Sequence, residues 1–534
     1  MSGRVAPGVT LAAILVAAAA VRWRLLAVPL ERDEGEYAYV AQLILQGEVP
    51  YRAAHNMKLP GVYYAYAAIL GLFGETDVAV HLGLLVVNLL AIALLYALGR
   101  SLVDAAAGLG AAAAYATLSL GAAVAGLAAN AEHFVVVPAI ASALALAHAT
   151  GRAGGARPGA VAAAGLLAGL AVVMKQHGAA FVAGGLAIVL ADGLARGRGA
   201  RRATAAAGAV FAAAAALPYA LTALGLWTAG AFEPFWFWTV TYAREYAGMI
   251  PRATSARWLA AAVARITGAA PALWLLAALG LGALAWDAAA RRRAPFVLLW
   301  TASGLFAVAL GLRFTDHYFI LLLPAAALLA GVGASAAGRV LAAGRAGRAT
   351  ALAVGLVAVA AALALARERM VLFALPPVAV ARAVNGTNPF PEAVAIGHWL
   401  RTHAAPDDRI AVIGSEPEVY FYARRRAATS YLYVYPLMER HPFARRMQDE
   451  MVAQLEAARP RFLVLVNVPT SWSRRPHSET RLLDWAERTV RDHYEAVGLA
   501  EIVPGGATRY HWGAAARAAT PASPYYVATF RRRS

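Results

Sequence analysis

The chain has 534 residues, 60% of them hydrophobic and 15% charged, with a mean hydropathy of +0.57. That composition excludes a soluble globular protein, whose charged share is about a quarter, and the absence of cysteine excludes disulfides and thiolate chemistry. The net charge of +18 would point a soluble chain toward nucleic acid, but here the basic residues lie in short loops between apolar segments, as in a multi-pass membrane protein that does not bind nucleic acid.

Scanned with a window of about 19 residues, the sequence predicts membrane segments near 8–27, 78–99, 104–122, 134–149, 158–174, 178–195, 203–224, 257–286, 294–312, 318–336 and 349–366. These make about eleven crossings of a lipid bilayer. Arg4 before an apolar stretch ending at Ala20 would also suit a cleaved leader, but Arg22 and Arg24 follow at once and favour an anchored helix. Arg100, Arg152, Arg157, Arg196, Arg198, Arg201, Arg202, Arg291 to Arg293, Arg339, Arg345 and Arg348 fall in alternate loops, which the positive-inside rule makes cytoplasmic. Most acids of the membrane region fall on the opposite, external face, and Asp104, Asp192 and Asp287 are the exceptions.

The first external loop, 29–77, is long, polar and aromatic, and is expected to lie on the membrane surface. It opens with Glu31-Arg32-Asp33-Glu34-Gly35-Glu36-Tyr37, and apolar spacing predicts helices from Glu36 to Gln46 and from Val62 to Phe73. Between the two helices runs Lys58-Leu59-Pro60-Gly61. Farther on, Phe232 to Tyr242 reads as an aromatic belt or as a clamp over a lipid. Runs such as Gly108 to Ala114 and Ala212 to Ala216 predict close helix packing in the membrane.

An odd number of crossings with a cytoplasmic amino terminus places the tail outside. Strands are predicted over 409–413 and 461–466 and helices over 393–403, 443–458 and 480–493. Strands alternating with helices imply an α/β domain of about 160 residues. The domains are therefore 1–366, a membrane region, and 367–534, an extracytoplasmic domain. Arg424 to Arg426 and Arg531 to Arg533 are read as solvated surface, or as contacts to anionic lipid headgroups.

A span, an acidic pair, a surface helix and then Lys-x-Pro before an aromatic helix resemble the GT-C glycosyltransferases that use polyprenyl-phosphate-linked sugars. The resemblance is to the family-39-like group, related to protein O-mannosyltransferases and lipid A aminoarabinose transferases. It rests on Arg32 to Tyr37 and Lys58 to Gly61, with support from Lys175-Gln176 and from Arg313-Phe314-Thr315-Asp316-His317-Tyr318-Phe319. It departs from the aminoarabinose transferases at Leu59, where they carry a first proline after the lysine, and so leaves the sugar and the acceptor open.

The resemblance implies an inverting transfer with Asp33 as catalytic base and Glu34 orienting acceptor or sugar. Chemistry asks for the same residue types, because an acceptor hydroxyl must lose a proton and a departing phosphate needs cations. Without the resemblance, the two acids are also what a solvated, topology-setting loop would carry. Arginine supplies nearly all the positive charge, and the two lysines of the chain, Lys58 and Lys175, both fall on the external face, as expected for compact charges facing a phosphate. Two residues share a face by chance about half the time, so it is the resemblance that makes Lys58 a phosphate ligand. Arg244, Arg313, His317 and Tyr318 are further candidates for binding substrate, with interfacial snorkelling the alternative for Arg313.

Glu132 resembles a second acidic position of many GT-C proteins, and would contact acceptor, hold a divalent ion or simply charge a helix start. No cofactor is required, no metal ligand set is spelled out, and a divalent metal is compatible with the resemblance. The expectation is a mainly α, multi-pass glycosyltransferase of the plasma membrane with an external active site. Its partners are a polyprenyl-phosphate sugar, the bilayer and an unidentified acceptor. The alternatives are a transporter or flippase of a lipid-linked substrate, and a membrane scaffold carrying an external sensor domain.

Overall fold

The computed structural model describes residues 7–150, 157–343 and 345–533; Arg4 and Arg152 lie outside them. Helices α1 (Pro7–Arg24), α2 (Arg32–Leu45), α3 (Pro60–Phe73), α4 (Asp77–Leu102), α5 (Ala105–Leu118), α6 (Ala131–Ala149), α7 (Pro158–Met174), α8 (Ala179–Ala195) and α9 (Arg201–Thr228) come first in the chain. Then follow α10 (Arg252–Ala269), α11 (Pro271–Trp286), α12 (Ala294–Ala309), α13 (Leu323–Leu341) and α14 (Ala346–Arg367). Among the described residues seven helices are long and apolar enough to cross a membrane, and α10 and α11, apolar enough together but bent by 104°, form either a broken span or a re-entrant pair. Three of the predicted crossings, α5, α7 and α12, are shorter apolar helices.

Helix α13 is buried along nearly its whole length and packs on α5 and α11. A methyl group at Gly331 would lie 2.2 Å from the Ala107 carbonyl oxygen, and one at Gly333 would lie 2.2 Å from that of Leu276. Backbone meets backbone there, which is how membrane helices gain dispersion contact without a hydrophobic drive. The three acids on the arginine-rich face have structural partners. Asp104 N-caps α5, Asp287 caps the short helix after α11, and both pair with Arg339 of α13. Asp192 pairs with Arg196 one turn away, at 2.9 Å.

The C-terminal region carries a mixed five-stranded sheet with strands β1 (Ile410–Ile413), β2 (Phe462–Asn467), β3 (Tyr494–Glu501), β4 (Arg509–Trp512) and β5 (Tyr526–Arg532). Their order is β1-β2-β5-β3-β4, and only β1 and β2 run parallel. Sequence spacing finds β1 and β2 and misses the antiparallel half, because β3 follows its helix with no turn signal and β5 ends in an arginine run. Arg531 lies in β5 and pairs with Glu495 of β3 at 2.5 Å, so part of that run belongs to the sheet.

The long loop 29–77 does not simply lie on a membrane surface; the C-terminal domain roofs it. Every residue of α2 from Glu34 to Leu43 is buried. His55 N–H donates to the Ser430 carbonyl at 2.7 Å, and Ala427 N–H donates to the Tyr39 hydroxyl at 2.8 Å. Arg424 reaches the Glu75 carbonyl at 3.1 Å and Arg426 the Glu48 carboxylate at 2.7 Å. Arg424 and Arg426 thus staple the domain to the loop, while Arg425 between them bonds the Arg401 and Ala404 carbonyls within the domain. The aromatic segment 232–242 packs under the same roof, with Trp238 against Tyr431 and Tyr242 against His441.

Candidate active site

The acidic motif folds as the start of α2. Glu31 is the N-cap, and Glu31 and Glu34 form a reciprocal capping box that satisfies the first orphan amides of the helix. Carboxylates also suit a helix amino terminus electrostatically. The box turns Asp33 toward Lys58, whose Nζ donates to Asp33 Oδ2 at 2.6 Å and to the Tyr37 hydroxyl at 3.0 Å. The Lys58 loop is fixed from both sides, because Tyr51 donates to the Lys58 carbonyl at 2.7 Å and Gln176 to the Met57 carbonyl at 2.7 Å.

Asp33 and Lys58 face a cavity of about 790 Å³. Its walls come from residues 31–33, 57–58, 175–179, 239–247 and 310–318, with a further wall from the C-terminal domain. These membrane-region segments all belong to the face that the charge pattern makes external. Lys175, Arg244, Arg313, His317 and Tyr318 line it as well, so seven of the nine residues expected from sequence share one cavity. Arg313 is sandwiched between Tyr246, whose ring centroid lies 3.3 Å from the guanidinium, and Glu439 at 3.4 Å. It stands between Leu312 and Phe314, both in the left-handed region with φ of 53° and 47°, a conformation that tertiary contacts must hold in place.

Glu132 lies just behind this wall, fully buried, paired with Lys175 and 3.8 Å from His317 Nε2. Its carboxylate is thus neutralised by a side chain of the protein. Among the described residues no group of three or more His, Asp or Glu side chains converges to hold a metal ion. Glu34 points away from the large cavity. Its Oε1 accepts from Ala129 N–H at 2.6 Å and lies 3.1 Å from His81 Nε2, so it ties α2 to the neighbouring spans. It lines a second, smaller cavity of about 200 Å³.

Charge and burial set the protonation states. Burial alone would raise the Asp33 carboxyl, but the Lys58 ammonium overrides it and holds Asp33 well below the usual carboxylate range. The same pair lifts Lys58 well above an ordinary lysine against the pull of burial. Burial pushes Glu36 up to about 7. It also pushes Glu31 up to about 8, reinforced by the charges of Asp33 and Glu34. The cavity thus combines a carboxylate ionised at neutral pH with cations on the facing walls.

Several lining groups have no signal in the sequence. Tyr435 and Glu439 come from the tail, and Tyr433 beside them reaches Asp33 Oδ1 at 3.1 Å. His177 lines the cavity with neither ring nitrogen bonded and its ring 4.6 Å from that of Tyr318. Only the unbroken apolar and aromatic run of residues 431–438 hints that this stretch is buried.

Residues 57–221 match the family of dolichyl-phosphate-mannose-protein mannosyltransferases. A comparison with curated protein sequences returns no match. Solved structures resemble the chain over nearly its whole length. ArnT from Cupriavidus metallidurans, bound to undecaprenyl phosphate, superposes with a TM-score of 0.57 at 16% identity, over 85% of this chain and 93% of that one. The Archaeoglobus fulgidus oligosaccharyltransferase, tethered to an acceptor peptide, gives 0.53 at 15% identity, over 94% of this chain and 74% of that one. AglB from the same organism, in complex with an inhibitory peptide and a dolichol-phosphate, gives 0.51 at 14% identity, over 94% and 74%. The fold is that of the GT-C glycosyltransferases, a multi-pass membrane bundle with a small sheet domain at its carboxyl end.

Proposed function

We propose that the chain is a membrane glycosyltransferase of the GT-C class, moving a sugar from a polyprenyl-phosphate donor to an acceptor hydroxyl on the external face of the plasma membrane. The observation that carries this reading is the cavity itself. An ionised carboxylate, Asp33, faces it beside Lys58, with Lys175, Arg244, Arg313 and His317 on the remaining walls. Asp33 takes the acceptor proton as the hydroxyl attacks the anomeric carbon, and the bond to the phosphate breaks on the opposite side with inversion. Lys58 and Arg313 receive the negative charge that builds on the leaving oxygen. Glu132 keeps Lys175 and His317 in place behind the wall. The likeness to ArnT with undecaprenyl phosphate and to AglB with dolichol-phosphate supports a lipid-linked donor.

The test is Asp33→Asn, a nearly isosteric change. Transfer from undecaprenyl-phosphate-linked pentoses and hexoses to membranes of a strain lacking the gene is expected to fall by about 10² or more, the range for loss of a general base. Mass spectrometry of envelope glycans with and without the gene identifies the acceptor. Near-normal transfer by the variant would return Asp33 to a topological role and favour a scaffold or transporter.

A further inference from the structure

Tyr433 belongs to the C-terminal domain, four hundred residues along the chain from Asp33, yet its hydroxyl lies 3.1 Å from Asp33 Oδ1 and 3.0 Å from Glu36 Oε2. It also lies 3.1 Å from the Arg32 carbonyl. The side chain is almost fully buried, and its ring stacks on Tyr435, which lines the cavity, with centroids 5.1 Å apart. The backbone beside it is held firmly. Ser415 Oγ accepts from the amides of Val434 and Tyr435 at 2.9 and 3.2 Å, and the Ser415 carbonyl accepts from Arg32 Nε at 2.6 Å. The next residue, Glu416, takes the Arg32 guanidinium at 3.1 Å. Two segments of the C-terminal domain, 415–416 and 433–435, tied together through Ser415 Oγ, therefore grip the residue before the proposed base and the base itself.

We propose that Tyr433 is a positioning residue for Asp33 and that the C-terminal domain is thereby an integral part of the active site. The inference rests on the reading of Asp33 as base. Asp33 is held by Lys58 on Oδ2 at 2.6 Å and by Tyr433 on Oδ1 at 3.1 Å, with the Tyr37 hydroxyl a longer contact on Oδ2 at 3.5 Å. Donor phosphate competes for Lys58 on the Oδ2 side, and Tyr433 is the contact that holds Oδ1. The Tyr433 hydroxyl has three acceptors within reach: Asp33 Oδ1, the Arg32 carbonyl, and Oε2 of Glu36, whose Oε1 accepts from Tyr63 at 2.5 Å. Of these Asp33, held ionised beside Lys58, is the strongest acceptor for the phenol proton.

Tyr433→Phe keeps the ring stack and removes only the hydroxyl. In the same transfer assay, kcat is expected to fall about tenfold or more, as misplacement of a catalytic group does, with donor KM within twofold and the unfolding temperature nearly unchanged. Tyr494→Phe serves as the comparison, because the Tyr494 hydroxyl donates to the Pro460 carbonyl at 2.6 Å inside the same domain, away from the cavity; its kcat should stay at the wild-type value. In an Asp33→Asn background, adding Tyr433→Phe should lower the residual rate less than twofold, since the two act as one unit. Wild-type kcat in Tyr433→Phe, or an equal fold loss with and without Asp33, overturns the positioning role and leaves the glycosyltransferase reading standing. Full transfer by Asp33→Asn alone overturns both.

Discussion

Lys58 and Arg313 each hold a carboxylate of the protein, Asp33 at 2.6 Å and Glu439 at 3.4 Å, so a phosphate must win each cation from an internal partner. The interaction that matters for rate is the one that strengthens as charge builds on the leaving oxygen, and it belongs in kcat rather than in donor affinity. Lys58→Met and Arg313→Met should each lower transition-state stabilisation by about 2–4 kcal/mol, the scale of a single oxyanion donor, read from kcat and kcat/KM. Lys58→Arg should rescue only part, because a planar fork does not reproduce a point charge. The double variant should fall short of additivity if both cations meet one phosphate. Fully additive losses, or weakened donor affinity at an unchanged maximal rate, would place both outside the reaction centre. At this scale Asp33, Lys58 and Arg313 are legible because charge in an apolar chain is conspicuous. Tyr433 and Glu439 are not legible, since a tyrosine or glutamate in a soluble domain looks like any other until the fold sets it against α2.

At the scale of elements, helix α2 shows why the motif needs a glycine at its centre. A methyl group at Gly35 would lie 2.5 Å from Glu418 Cβ and 2.7 Å from its backbone, on the short helix Glu418–Ala423 of the C-terminal domain. In an exposed helix, Gly→Ala stabilises by about 1 kcal/mol. Here Gly35→Ala should instead destabilise by about 1–3 kcal/mol, the range for overpacking, and loosen the roof over Asp33. Thermal unfolding and limited proteolysis of the C-terminal domain measure it, and an unchanged or raised unfolding temperature would mean the two helices do not meet so closely. Periodicity predicts α2 and α3 well, because local apolar spacing fixes a helix. It does not predict that a second domain buries α2, since burial from both sides leaves a run such as Tyr37 to Leu43 looking like one that lies on a membrane. Likewise β3 and β5 escape, because their pairing is non-local and carries no turn between them.

For the whole molecule, the expected sidedness rests on counting charges and crossings. The eleven predicted segments correspond to helices, though the segment 257–286 is two helices, α10 and α11, bent by 104°, and α5, α7 and α12 fall short of a full span's length. What supports the predicted parity is convergence. Segments 31–33, 57–58, 175–179, 239–247 and 310–318 are separated by even numbers of predicted crossings, and they meet in one cavity, as expected if they leave the membrane on the same side. At the opposite end Arg339 gathers Asp104 and Asp287, which accounts for acids on an arginine-rich face without disturbing the positive-inside pattern. Reporter fusions after Asp77 and after Pro376 should therefore both read as external, and a fusion after Arg196 as cytoplasmic. A cytoplasmic signal after either Asp77 or Pro376 would turn the cavity toward nucleotide-linked sugars and remove the reason for a lipid-phosphate donor, whereas the expected pattern puts Asp33, Lys58 and the domain that roofs them where a polyprenyl-linked sugar is presented.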